Sequence, residues 1–571
     1  MKRSKSRTRS VLGTTAAWVL ALSLSACGGG GGGGGGGGYI PAQATATATG
    51  ADAGVKSDGG NAVKASCAGC AAINDSTYAG SGTGVWQAAN GSSVPVDTPL
   101  SISGLTGQTV TLVLTNESTT AEALPGLVVR SSSEIAASVN KASVQQPAGE
   151  DDAARNAIRE FNRTGFGKLL DPASKAAPGV LKSMAPSAAY AVADQRSIFL
   201  YDHTQRTVQL AAQQTTSDGT LVNLWVERGE LDPARVSSAL AARMLDKFAT
   251  EGGIYDMLVR VGGPLWGDHG MSQLIAGSSQ PLDIFIVNFK PDRQPYGLVG
   301  YFWGLNNFKT GSGDLAYSNE SLSLYLDSES LYLDGEDGVK QIATVMAHEG
   351  MHMQNFYRRG VKMGSDYTFD TWLEEMSALM MEDWASFNID PSHNAIRDSR
   401  YPYYLSYNGA GSYNCGLTEW TPMGATCESY AVTGSFGGFL NRQLGLDFYK
   451  ALLASNGVKD STEILDKAIR SRRPDSGIGQ ELRRFAAASA GLIPLGAGIA
   501  EYSMPARSED VFNLPAIDPA SFGRGNRKLP QSAPSLLQAL ASFPVIRSNV
   551  AGTYSETVRV PPGTTLSVII N

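Results

Sequence analysis

Apolar positions change rhythm along the chain. Residues 11–26 form one continuous apolar run. From about residue 78 to 140, apolar and polar residues alternate in short stretches such as Leu100-Ser-Ile102-Ser, punctuated by Gly and Pro, which predicts a small β domain. Residues 141–195 are rich in Ala, Ser and Pro with one helical stretch over 151–164, and read as a linker or a pro-segment. From Arg196 the apolar content rises. Strands are predicted near 197–201, 221–226, 283–287, 297–303 and 322–326, with a helix over 236–250, and helical spacing dominates after Gly338. Residues 196–500 are therefore expected to form the main domain. The segment 501–571 ends in a β-like rhythm over 557–570, of which residues 558–570 align without a gap on 102–114 around Gly107 and Gly563. That weak repeat fits two sandwich-like modules, two hairpins of one sheet, or shared β composition. The predicted class is α+β, mostly helical in its C-terminal half and flanked by small β modules.

Between residues 339 and 360, Ile342, Val345, Met346, Met353 and Phe356 recur at helical spacing, with Gly360 as the expected C-cap. Within this helix stands His348-Glu349-Gly350-Met351-His352. Residues i and i+4 share a face, so two imidazoles converge on one point while Glu349 reaches the adjoining space, an arrangement suited to zinc plus a base. Two of only five histidines fall in that register; the plainer reading is a helix carrying two surface histidines beside a glutamate. A catalytic zinc takes three protein ligands and leaves one position open. A second helix is predicted from Thr371. Thr371 and Glu374 stand at capping-box spacing. If Glu374 turns back to the Thr371 amide, Glu375 is the carboxylate left for the metal, and it is preferred over Glu374. Glu382, seven residues on along the same face, is a candidate partner for a ligating histidine.

The HExxH pattern followed by Trp372-Leu373-Glu374-Glu375 resembles the gluzincin class of zinc metallopeptidases, whose third ligand is the second Glu of that pattern. Further features are similar to the hyicolysin-like family (peptidase family M30): Gly300-Tyr301-Phe302, Tyr317-Ser318-Asn319-Glu320, Leu324-Tyr325-Leu326-Asp327, and Tyr430 ahead of Gly434 and Phe439-Leu440. The resemblance spans roughly residues 196–484. It implies a gluzincin-type catalytic domain with one Zn2+ per chain on His348, His352 and Glu375, and Glu349 as general base. It also implies an endopeptidase acting on protein or peptide substrates. Tyr430 occupies a place similar to the oxyanion-stabilising Tyr of gluzincins; a merely packed Tyr is the other reading. Glu375 follows His352 by 23 residues, longer than in the aminopeptidase branch, and Met376 replaces the small residue that usually comes after the glutamate.

Composition changes the picture in three ways. With 571 residues, 42% hydrophobic and 17% charged, the chain has room for roughly three to five domains and is too apolar for wholesale disorder. Its net charge is −7, and five cations (Lys2, Arg3, Lys5, Arg7, Arg9) precede the apolar run, so the chain beyond that run is more acidic still and nucleic acid is not an expected partner. That cationic start, the short apolar run and Leu24-Ser25-Ala26-Cys27 together read as an export signal over 1–26. The tetrapeptide resembles a bacterial lipobox, which implies cleavage before Cys27, acylation of Cys27, and a lipid anchor on a glycine-rich tether over 27–77. Gly28 in place of Asp favours the outer membrane, with the face open. Four cysteines remain. Of their three pairings, the local one, Cys67–Cys70 with Cys415–Cys427, closes two short loops, and an exported location permits both. Cys67 and Cys70 read alternatively as a redox or zinc half-site. Two rival functions stand beside the peptidase: a surface binding or adhesion lipoprotein with a structural or relic zinc site, and a hydrolase of non-peptide amides.

Overall fold

In the computed structural model the described residues are 62–124, 126–127, 129, 150–170 and 190–571. The expected export signal, Cys27 and residues 27–61 of the tether lie outside them. Among the described residues no helix is long and apolar enough to cross a membrane.

The two β-rich ends of the chain form one sheet rather than separate modules. The 21-residue strand Val96–Asn116 pairs antiparallel with Ala541–Val560 along nearly its whole length. Thr564–Ile570 inserts between Gly84–Asn90 and Val96–Asn116, so the last strand closes a sheet begun near the other end of the described chain. The sheet starts inside the stretch expected to be tether. Lys64–Ala65, Ala72–Asn74 and Thr77–Tyr78 are strands, and Val63, Ala71 and Ala72 are buried. Both local disulfides, Cys67–Cys70 and Cys415–Cys427, are formed. The sheet rests on the helix Ile478–Gly491, whose Ala486, Ala487, Ala488 and Ala490 are small enough to admit Val85, Val113 and Ile569.

The second sheet has six strands in the order Gly300–Phe302, Leu322–Asp327, Leu282–Val287, Leu221–Glu227, Gln205–Thr215, Gln195–Phe199. The strands Leu322–Asp327, Leu282–Val287 and Leu221–Glu227 run parallel to one another, and the outer strands are antiparallel. Both faces are covered, which is why these strands read as apolar runs. Leu224, Ile284, Ile286 and Leu324 face the large helical core, while Trp225, Phe285, Tyr301 and Tyr325 face a smaller cluster that includes Ile158.

Two helices cross the large core side by side, Gly335–Asn355 and Thr371–Ile389, with Ser429–Leu444 packed behind the second. Two glycines let the first come close to its neighbours. A Cβ on Gly350 would stand 2.5 Å from Leu258 Cδ1, and one on Gly300 of the edge strand 2.6 Å from Val345 Cγ1. The helix does not stop at Gly360 as expected. It continues as a wider-wound segment, Phe356–Val361, and Gly360 serves instead as a flat seat for the Phe166 ring, 2.7 Å from where its Cβ would be.

Candidate metal centre

His348, Glu349 and His352 lie within one turn on Gly335–Asn355, and Glu375 comes from Thr371–Ile389. All four are at most 7% exposed. His348 Nε2 is 3.0 Å from His352 Nε2 and 3.3 Å from Glu375 Oε2, which is 3.7 Å from His352 Nε2. Atoms held about 2.1 Å from one tetrahedral ion lie about 3.4 Å apart, so the triangle has the dimensions of a zinc site. These three residues form the one such group among the described residues.

The far nitrogen of each imidazole is taken. His352 Nδ1 meets Glu374 Oε1 at 2.8 Å, and His348 Nδ1 stands 2.8 Å from Glu382 Oε1, somewhat bent off the hydrogen-bond line. With each Nδ1–H turned to a carboxylate, both Nε2 atoms present lone pairs to each other and to a carboxylate oxygen. Three acceptors crowded in a buried space call for a cation, and imidazole and carboxylate suit zinc. The residues present fit the metal.

The charges around the triangle arise from the same contacts. Burial by itself lowers the His348 pKa, but Glu375 and Glu382 outweigh it and push it up to about 9. His352 is raised likewise, by Glu374 and Glu375 against burial. Because the rings face each other at Nε2, the two histidines titrate as a coupled pair. Burial would raise Glu375, yet Arg159, whose Nη2 donates to Oε1 at 2.7 Å, and the two histidines hold it below the usual carboxylate range. Glu382 is similarly lowered against burial, by Arg400 and His348.

Glu349 does not touch the triangle's partners. Its Oε2 accepts from the backbone N–H of Phe302 at 2.9 Å, on the edge strand, and its buried Oε1 has no partner among the described residues. Burial raises its pKa, with the histidines opposing. Such a carboxylate is half fixed and half available for a proton.

The structure alters one step of the sequence argument. Glu374 does not cap its helix: Asp370 is the N-cap residue, and Glu374 instead holds His352 and Asn355 Nδ2. Glu375 faces the histidines because it lies one position further round the helix. Tyr430 packs edge-on against Trp420 with the Arg400 guanidinium over its ring. The remaining histidines stand apart: His203 stacks on Tyr317, His269 meets the Ile275 carbonyl, and His393 lies near Asp398. Sequence reasoning did not single out Arg159, Asn355 or Arg400. Nothing in their spacing ties them to HExxH as partners of its ligands.

The model of peptidase family M30 matches residues 202–571, well over half of the chain. The chain belongs to peptidase family M30. The M30 match runs through the last strand, so the C-terminal β segment is part of the family's extent and not an appendage to it. A domain of unknown function (DUF8571) matches residues 65–129, the N-terminal half of the shared sheet. The neutral metalloprotease ShpI of Staphylococcus hyicus is 25% identical over 214 residues, 36% of this M30 chain and 45% of that protein. The chain thus matches less than half of that relative's length.

Proposed function

We propose that this chain is a zinc-dependent endopeptidase with His348, His352 and Glu375 as metal ligands and Glu349 as general base. The observation that carries it is the unpartnered Oε1 of Glu349 beside three converging lone-pair donors. Family membership and the similarity to a neutral metalloprotease support the same reading. Zinc, when bound, would polarise the scissile carbonyl and acidify a water. The Phe302 amide holds Glu349 Oε2, which turns Oε1 towards the attacking water; Oε1 takes the water's proton and then delivers it to the leaving amine. Burial favours the protonated carboxyl and so helps Glu349 carry that proton. Glu382 and Glu374 fix the two imidazoles. Tyr430 is our candidate for a donor to the developing oxyanion.

Zinc analysis of residues 28–571 and of the Glu349→Gln variant, with cleavage of an unfolded protein before and after N-terminal trimming, tests this. About one zinc in each, with hydrolysis only in the parent and abolished by a chelator, is expected; zinc in both without hydrolysis by any form would reject it. We further propose that Cys27 carries a lipid that anchors the protein to the bacterial outer membrane. Incorporation of labelled palmitate, lost in Cys27→Ala, is the corresponding test.

A further inference from the structure

The helix Glu150–Arg163 and the turn Gly165–Leu169 lie outside the M30 match and between two stretches, 130–149 and 171–189, that connect them to the rest of the chain. Two residues on one face of this helix, Arg159 and Asn162, reach the metal centre. Arg159 Nη2 donates to Glu375 Oε1 at 2.7 Å, leaving Oε2 towards the histidines.

Asn162 engages the edge strand. The register Tyr301↔Tyr325 joins Gly300–Phe302 to the sheet on one side. On the other, Asn162 Nδ2 donates to the Phe302 carbonyl at 2.8 Å, and the Gly304 N–H donates to Asn162 Oδ1 at 2.7 Å. A carboxamide offers a donor and an acceptor side by side, as a peptide group does. It therefore satisfies this edge as the backbone of an added extended strand would. The same Phe302 whose carbonyl is taken gives its N–H to Glu349, so the occupied edge runs past the base.

The space left is small. Arg159, Asn162 and Arg163 wall a cavity of about 40 Å³ against His352, Glu374 and Glu375. That holds a few waters and not a peptide. The segment is held down further along by Phe166, fully buried on Gly360 and Phe356, and by Thr368 Oγ1 donating to the Arg163 carbonyl at 2.8 Å.

We propose that residues 150–170 are a built-in plug of the substrate groove, with Asn162 standing in for substrate backbone on the edge strand, and that their displacement admits a polypeptide to the metal centre. This rests on the peptidase reading above and adds its regulation.

The test uses zinc-loaded protein and a fluorescent peptide hydroxamate as the binding probe, with turnover of an unfolded protein followed in parallel. Three forms are compared: the intact chain, Asn162→Ala, and a chain with specific-protease sites in 131–149 and 171–189 from which 150–170 is cut after folding. Loss of two hydrogen bonds at Asn162 should tighten probe binding about 5- to 100-fold, excision should tighten it further, and a synthetic 150–170 peptide should compete the probe away. Equal probe affinity in the intact chain and Asn162→Ala, at equal zinc content, overturns the plug. Should excision also cost the fold, Asn162→Ala decides alone. Tighter probe binding without hydrolysis keeps the plug and sinks the peptidase reading. Full hydrolysis by the intact chain does the reverse.

Discussion

Glu374 and Glu382 do the same task for different histidines but in different surroundings, and this gives an ordered expectation. The Glu382 side chain is 0% exposed and is flanked by His348 Nδ1 at 2.8 Å and Arg400 Nη2 at 3.6 Å. Glu374 keeps 23% of its side chain exposed. Replacing either by Gln preserves size and removes the charge that orients the ring and strengthens its lone pair. A hydrogen bond to a charged group is worth about 1.5–3 kcal/mol, and ring-orienting partners typically govern metal affinity by about 10- to 100-fold. At Glu382 no water can take over, so the full range applies, and the bent geometry of the contact places the loss near about 30-fold. At Glu374 solvent can reach the vacated position, which limits the loss to about 3- to 10-fold. Competition against a chelator of known affinity reads both numbers at one pH. A Glu374→Gln loss equal to or larger than that of Glu382→Gln would refute the argument that burial sets the strength of these contacts.

Metal affinity should also depend on pH with a defined sign. His348, pushed up to about 9, must lose its proton when the ion binds. Apparent affinity should therefore rise about tenfold per pH unit below about pH 9 and level off above, and a flat profile would count against the raised pair. The same proton stabilises the metal-free fold fully below the ordinary value near 6.5, and that contribution disappears as pH rises through about 9, so the metal-free melting temperature should fall over this window. Gly350→Ala forces a methyl group to within 2.5 Å of Leu258 Cδ1 and should destabilise the fold by about 1–3 kcal/mol, visible as a lower thermal midpoint; an unchanged midpoint would mean Leu258 moves aside. Removing the Cys415–Cys427 bridge, which spans 12 positions, should cost about 3 kcal/mol against about 2 for Cys67–Cys70, spanning 3, as read from denaturant unfolding of the paired Cys→Ser variants.

The features legible before any fold is known are local ones. His348, Glu349 and His352 lie close together because an α-helix repeats every 3.6 residues, and no tertiary contact is needed to place them there. The α+β class and five of the six strands of the second sheet were legible for the same reason, from the period of apolar positions, while Gln205–Thr215 was missed. Glu375 was found by following a second helix, although the capping argument that selected it was not what the fold uses; Glu374 turned out to serve His352. One shared sheet was among three readings of the likeness between the two β ends, and the sequence could not choose among them, because a strand's alternation fixes which face is buried and not which distant strand it joins. Arg159, Asn162 and Arg400 were invisible for a related reason. Each acts on the centre through a single side chain delivered from an element with no fixed spacing to HExxH, and only the packing of Ile158 and Phe166 into the cores brings Arg159 and Asn162 to Glu375 and the edge strand. The HExxH part of the candidate metal centre was thus written in helical periodicity, while what supports it and what stands in front of it were decided by long-range packing.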